Sequence, residues 1–243
     1  MTTAIASLTR RQAARIAGVG YVLIFFLAIF ANFVVVEGLI EAGDASATAQ
    51  NITDSEGLFR AGLAAFLVVF VLDVVIAWAL YVYFQPLSRE LSRLAAWFRV
   101  IHAVLLGAAL VFAFAAVELL SGADYLDTFA GDQLSTQAMV MLEAFGYAWL
   151  VGLAAFGVHL AVLGYLVLRA GEVSRWLGYL LMMAGAAYFA DTVANTLLSS
   201  YEDVEDLFLV IVAVPSVVGE LWLGLWLLLR AGSGRSPVLA DPA

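Results

Sequence analysis

The chain has 243 residues, of which 64% are hydrophobic and 13% are charged, and it contains no cysteine. This composition leaves too little polar surface to coat a soluble globule, and the missing cysteines exclude disulfides, thiolate metal sites and thiol nucleophiles. A formal net charge of -9 argues against a nucleic-acid partner, because nucleic-acid binding requires clustered cations. Membrane lipid is the partner that the composition predicts.

Six long apolar runs follow one another along the chain. They cover residues 16–36, 58–84, 94–120, 139–168, 176–198 and 207–229. A bilayer core about 30 Å thick needs about 20 helical residues, and every run reaches that length. The sequence therefore predicts an all-α polytopic membrane protein, with a bundle of six transmembrane helices over residues 1–230. Residues 231–243 are predicted to form a disordered cytoplasmic tail.

Arginines and carboxylates alternate between the successive loops. Arginines precede the first run, join the second run to the third and the fourth to the fifth, and follow the sixth. Because cytoplasmic loops carry an excess of basic residues, we predict that both termini are cytoplasmic and that the protein lies in the inner membrane. In the first acidic loop, the segment from Asp44 to Gln50 is predicted to form a short surface helix.

Ionisable residues inside the runs are the main candidates for a functional site, because each costs at least about 2.5 kcal/mol to place in hydrocarbon. Counted at about 1.5 Å per residue from the arginine-rich end, His102, His159 and Glu220 lie about 14 to 15 Å deep, and Asp73 lies about 18 Å deep. Four ionisable groups from four helices are therefore predicted in one layer near the midplane.

Three interpretations of this layer stay open. Asp73, His102, His159 and Glu220 have the donor atoms of a divalent-metal site, although no cofactor is predicted. They also suit a ligand or proton site, or a hydrogen-bonded network that only orients the helices. Arg99 lies one turn from His102. It could pair with His102 and keep the imidazole neutral, but the favoured expectation is that its side chain extends to the cytoplasmic headgroups.

The sixth run contains a proline close to its buried acid. Pro215 cannot donate a hydrogen bond to the preceding turn, so a kink or break is predicted there. Free carbonyl groups, the Ser216 hydroxyl and the Glu220 carboxylate would then form a binding element. No His-Glu-x-x-His or Gly-x-Ser-x-Gly motif accompanies it, so the common hydrolase signatures are missing.

A second polar group is predicted nearer the outside. Asp191 and Asn195 lie four residues apart on one face of the fifth run, with Tyr188 three positions earlier. Asn32 of the first run is expected at the same level. Together with the midplane layer, these residues predict a polar path that opens outward.

Several short stretches carry a resemblance to a known family. They are Arg15-Ile16-Ala17-Gly18, Ser55-Glu56-Gly57-Leu58-Phe59-Arg60, Leu72-Asp73-Val74-Val75, Ala95-Ala96-Trp97-Phe98-Arg99, Leu120-Ser121-Gly122-Ala123-Asp124-Tyr125, the segment around His159, and Val218-Gly219-Glu220-Leu221. Over about Arg15 to Arg230, the chain resembles the DUF4386 family of bacterial and archaeal membrane proteins. The resemblance implies a multi-pass fold and no assigned activity.

The leading functional hypothesis is a module or transporter that binds a small ligand, an ion or a lipid in a polar midplane cavity. One alternative is a metal-dependent intramembrane enzyme acting on lipid, with Glu220 or Asp73 as the base and His102 and His159 as metal ligands. Another is a structural membrane subunit, whose polar groups would all be paired. No motif assigns a ligand, a catalytic residue or an oligomeric state.

Overall fold

A computed structural model describes residues 8–231, and this part of the chain forms a bundle of six long helices. The six helices, called spans one to six below, are Arg10–Leu39, Glu56–Phe84, Arg89–Leu119, Gly131–Ala170, Arg175–Leu197 and Glu205–Leu229. Each is long and apolar enough to cross a membrane. The predicted all-helical, six-span architecture is thus confirmed, whereas the cytoplasmic location of the termini stays a prediction.

The helices extend past the apolar runs that predicted them. Only the last residues of the third and fifth runs, Leu120 and Leu198, fall outside, where they cap their helices. The surface helix in the first acidic loop is Ala45–Asp54, which ends four residues later than expected. Asp44 caps it, because its carboxylate accepts a hydrogen bond from the backbone N–H of Ala47 at 2.9 Å.

The six spans form a closed ring in chain order. Each packs against the next, and span six returns to pack against span one. Glycines bring neighbouring spans close together. A Cβ atom added to Gly157 or Gly185 would lie 2.6 or 2.4 Å from the carbonyl oxygen of the other, between spans four and five. A Cβ at Gly18 would lie 2.5 Å from the backbone nitrogen of Leu228, so small residues also set the contact that closes the ring.

The apolar core consists of two clusters that follow each other along the bundle. The first lies at the arginine-rich end, where spans one and six carry Arg10 and Arg230, and it contains buried residues from all six spans. The second lies at the acidic end, beside the loops that follow spans one, three and five. Among the described residues, this cluster draws on the surface helix and spans one to four, but not on spans five and six. The bundle is therefore closely packed at the arginine-rich end and more open at the acidic end.

Two of the spans contain an irregular or proline-bearing turn. In span one, Phe30–Val36 is a π-helix, and the backbone N–H of Glu37 donates to the carbonyl oxygen of Asn32. Span six continues as one helix through Pro215, so the expected break is absent. The Ser216 hydroxyl, next to the proline, donates to the carbonyl oxygen of Val212 at 2.7 Å.

The described chain ends beside the arginine-rich end. Ala231 is buried in the apolar cluster there, so it belongs to the packed bundle rather than to the predicted tail. The rest of that tail, residues 232–243, lies outside the described residues.

Candidate functional site

A buried charged network lies where the two apolar clusters meet. Arg99 of span three is only 1% exposed, and its Nη2 lies 2.6 Å from the Oδ1 atom of Asp73 in span two. Its Nη1 donates a hydrogen bond to the hydroxyl of Tyr21 in span one at 2.8 Å. The expectation that Arg99 extends to the headgroups is therefore wrong. The guanidinium points into the bundle because an acid and a hydroxyl bind it there.

His159 of span four lies on another side of the same guanidinium. Its Nδ1 is 2.8 Å from the carbonyl oxygen of Ala95, and its Nε2 is 3.3 Å from Arg99 Nη1. A carbonyl oxygen can only accept and a guanidinium can only donate, so Nδ1 carries the hydrogen and Nε2 carries the lone pair. Both ring nitrogens of a neutral imidazole are thus engaged.

His102 lies beside Asp73, with 3.6 Å between its Nε2 and the carboxylate Oδ2. Two buried polar atoms of the network, His102 Nδ1 and Arg99 Nε, have no hydrogen-bond partner within residues 8–231. The Phe156 ring covers the network, since its centroid is 4.8 Å from that of His102 and 5.3 Å from the guanidinium carbon of Arg99. One side of the network is therefore covered by an aromatic ring.

The predicted set of four metal ligands is not assembled as one cluster. Asp73, His102 and His159 lie in the network, but the Arg99 guanidinium contacts both Asp73 and His159. Across the part of the chain that the structure describes, no three His, Asp or Glu side chains are grouped so that they would hold an ion. His159 would have to give up its contact with Ala95 or Arg99 before it could bind a metal.

A cavity of about 620 Å³ lies between spans one, four, five and six and reaches the acidic end. Aromatic side chains form much of its wall, namely Tyr21, Phe25, Phe33, Trp149, Tyr188, Tyr201 and Phe208. Three acidic side chains, Glu37, Glu205 and Asp206, lie at its mouth. The volume falls within the range of about 300 to 1,000 Å³ that is typical of small-molecule pockets.

Glu220 and Ser216 of span six line the inner part of this cavity. Glu220 is partly buried, and within residues 8–231 its carboxylate makes no hydrogen bond and no ion pair. Arg99 and Asp73 are nevertheless near enough to interact with it electrostatically. Tyr21 both lines the cavity and accepts the hydrogen bond from Arg99, so this tyrosine separates the cavity from the buried network.

Only part of the predicted outer polar group lines the cavity. Asp191, Tyr188 and Asn32 line the cavity, but Asn195 is not among the lining residues that the structure describes. Tyr201, in the loop before span six, donates a hydrogen bond to Asp191 Oδ1 at 2.5 Å. Burial and this hydrogen bond to Asp191 raise the pKa of the Tyr201 hydroxyl, so it stays a donor at neutral pH.

Sequence reasoning overlooked two residues at the centre of the site. The sequence favours the headgroups for Arg99 and does not single out Tyr21. One signal for Arg99 was available, since an arginine inside one apolar run and an acid inside the preceding run, Asp73, predict a buried pair when the two helices are neighbours. Tyr21 gave no such signal, because one tyrosine in an apolar run is ordinary.

Six apolar helices in a closed ring around buried polar residues define a multi-pass helical membrane protein. The chain belongs to the family described as "Domain of unknown function (DUF4386)", whose model matches residues 16–231, and this confirms the resemblance seen in the sequence. It is similar to an Archaeoglobus fulgidus protein described as "Uncharacterized protein", with 27% identity over 174 residues, 72% of this chain and 85% of the relative. No solved structure matches the chain.

Proposed function

We propose that this protein is an inner-membrane transporter that binds a small ligand in the cavity between spans one, four, five and six. The observation that carries this proposal is the Glu220 carboxylate, which faces the cavity without a hydrogen bond or an ion pair in the described chain. An ionisable side chain at this depth costs at least about 2.5 kcal/mol. Arg99 offsets that cost for Asp73, and a ligand would offset it for Glu220.

The difference between the two ends of the bundle supports transport. The cavity reaches the acidic end, whereas all six spans contribute to the apolar cluster at the arginine-rich end. Polar contacts reinforce that closed end. Glu172, between spans four and five, forms an ion pair with Arg10 and accepts a hydrogen bond from the Tyr83 hydroxyl at 2.7 Å. If the arginine-rich end lies in the cytoplasm, the cavity opens to the outside and the closely packed end faces the cytoplasm. This is the arrangement of an outward-open carrier.

The two alternative functions are less well supported. A metal-dependent enzyme using His102 and His159 would require His159 to release Ala95 or Arg99. A purely structural subunit would have its buried polar groups paired, but Arg99 Nε has no hydrogen-bond partner within residues 8–231. The Glu220 carboxylate, which makes no hydrogen bond or ion pair within residues 8–231, disfavours the structural role for the same reason.

The test is a thermal-shift screen of the detergent-purified protein against a library of small organic solutes. A ligand that binds only the folded state at 100 times its Kd adds about 2.7 kcal/mol of stability. We expect at least one solute class to raise the Tm of the wild type. Ala213→Trp, which fills the cavity, should abolish that shift, whereas Ala108→Trp on the exposed face of span three should preserve it.

Two results would contradict the proposal. One is a library in which no solute stabilises the wild type. The other is a stabilisation that persists unchanged in Ala213→Trp, because the solute would then bind outside the cavity. Solutes that pass this screen are next tested for accumulation in sealed proteoliposomes, and no accumulation of any of them would contradict transport.

A further inference from the structure

We propose that the ligand of this cavity is an amphipathic organic cation, which places its positive charge beside Glu220 and its apolar body against the aromatic wall. The inference rests on the proposed function, because it assigns a chemical class to the ligand of that same cavity. Three properties of the described residues carry it: the charge balance at the inner end, the chemistry of the wall and the charges along the cavity.

At the inner end of the cavity, the described residues include one more acid than they have cations to pair with it. Asp73 and Arg99 carry opposite charges and lie 2.6 Å apart, so each offsets the other. His159 is a neutral acceptor toward Arg99, because its Nδ1–H donates to Ala95. Glu220 is then the acid at this end that has no hydrogen bond or ion pair in the described part of the chain, and a single positive charge complements it.

The wall of the cavity suits an organic body. Apart from its acids, the lining consists mainly of aromatic and aliphatic side chains. The faces of tyrosine and tryptophan rings attract cations, and the same rings provide apolar contact area. Trp149 is held in place by Phe66 and Phe145, whose ring centroids lie 5.2 and 5.7 Å from its own. This part of the wall is therefore positioned before a ligand arrives.

A bare metal ion fits the cavity poorly. Hard divalent cations take about six to eight oxygen ligands, whereas no three acidic or histidine side chains in residues 8–231 are grouped around one point. The volume of about 620 Å³ also exceeds what a single ion needs. An organic cation would fill more of this volume and place its charge beside the Glu220 carboxylate.

The charges along the cavity favour entry of cations. The described lining residues include five acids, Glu37, Asp191, Glu205, Asp206 and Glu220, and no arginine or histidine. An acidic cleft with low-dielectric walls concentrates cations and repels anions. The same charges would therefore attract the ligand at the mouth and bind it at the inner end.

The experiment compares tetraphenylphosphonium with tetraphenylborate, two ions of nearly the same shape and opposite charge. Binding of each is measured by equilibrium dialysis against the protein in nanodiscs, with empty nanodiscs as the blank. We expect saturable binding of tetraphenylphosphonium at one site and no saturable binding of tetraphenylborate. Glu220→Gln should weaken tetraphenylphosphonium binding at least about tenfold, equivalent to about 1.4 kcal/mol.

Two variants serve as matched controls. Glu143→Gln removes a carboxylate from an exposed position on span four, outside the cavity lining, and should leave the affinity unchanged. Glu205→Gln removes one charge at the mouth and should weaken binding about threefold, with a smaller effect at high salt. It provides a second test of the charge argument if Glu220→Gln fails to fold.

The cavity-filling variant separates failure of the ligand class from failure of the site. If Ala213→Trp abolishes binding but both ions bind equally, or Glu220→Gln keeps full affinity, the cation assignment is wrong and the cavity is still a binding site. If the wild type binds neither ion, the cation assignment is also wrong. If bound ions respond to neither Ala213→Trp nor Glu220→Gln, they bind elsewhere and the cation assignment is wrong. The proposed function fails as well only if the solute screen finds no ligand whose stabilisation Ala213→Trp abolishes.

Discussion

Two acids at a similar depth in the membrane, Asp73 and Glu220, have different surroundings. Asp73 is 2% exposed and held by Arg99, whereas Glu220 faces the cavity. Removing the charge of each therefore has a different consequence. Breaking a buried ion pair leaves the other charge uncompensated, but neutralising an acid without a partner removes only its own desolvation cost.

The first prediction concerns the stability of these variants. Asp73→Asn should destabilise the protein by about 3 to 5 kcal/mol, because the Arg99 charge stays buried without its partner. Glu220→Gln should be neutral or stabilising. Thermal unfolding in detergent, followed by circular dichroism, measures both, with the exposed Glu143→Gln as the control. An Asp73→Asn variant as stable as the control would show that the pair does not hold the bundle together.

The second prediction concerns the ionisation of Tyr201. Its raised pKa means that the phenolate forms only above the ordinary tyrosine range near pH 10. The neutral hydroxyl contributes stability below that range, and this contribution is lost as the pH rises through the raised pKa. Ultraviolet difference titration of the wild type against Tyr201→Phe isolates this group. Phenolate absorbance from Tyr201 below pH 10 would contradict the hydrogen bond to Asp191.

Depth could be predicted for single residues, but the direction of each side chain around its helix could not. Counting residues from the helix ends placed Asp73, His102, His159 and Glu220 at similar depths. The count says nothing about which way each side chain points around its helix, and that direction depends on contacts with other helices. For this reason the sequence predicts a single site for Glu220 and Asp73, although Glu220 faces the cavity and Asp73 binds Arg99.

Contacts between helices depend on small residues in this bundle. Gly157 and Gly185 face each other across spans four and five, where added Cβ atoms would overlap with carbonyl oxygens. Gly146, also in span four, has no atom of another described residue within 4 Å of the position where a Cβ atom would lie, apart from its own helix backbone and chain neighbours. The two glycines of one helix therefore provide a matched comparison.

The third prediction uses this comparison. Gly157→Ala should cost about 1 to 3 kcal/mol, because the methyl group forces spans four and five apart. Gly146→Ala should be neutral or stabilise by up to about 1 kcal/mol, because alanine favours helix and meets no obstacle. Thermal unfolding of the two variants measures the difference. Equal Tm values would mean that close packing of these spans contributes little.

The sequence predicted the existence of the helices better than their irregular turns. Asp44 indicated the start of the surface helix, because an acidic cap has a direct local function. The π-helix at Phe30–Val36 has no comparable residue signal, since it places one extra residue in a turn to suit its neighbours. Pro215 suggested a break, but the helix continues through it, with the Ser216 hydroxyl donating to the Val212 carbonyl oxygen of the preceding turn.

At the scale of the whole molecule, the six spans and their order along the chain could be read from hydropathy. The closed ring could not be predicted, because its closing contact joins spans one and six, which lie at opposite ends of the sequence. The cavity is also non-local, since its wall combines spans one, four, five and six. This cavity should admit water from the acidic end and stop at the closely packed arginine-rich end.

The measurement that tests this claim most directly is cysteine accessibility along span six, for which the cysteine-free chain needs no prior substitution. Single cysteines replace Ala213 in the cavity, its neighbour Val214 on the exposed face and the buried Leu227. A membrane-impermeant cationic methanethiosulfonate is applied to each face of sealed membranes. Since thiolates form only in water, Ala213→Cys should react at least about tenfold faster than Val214→Cys or Leu227→Cys, and only from the outer face. Equal rates at Ala213→Cys and Val214→Cys, or fast reaction of Leu227→Cys from the outer face, would contradict it.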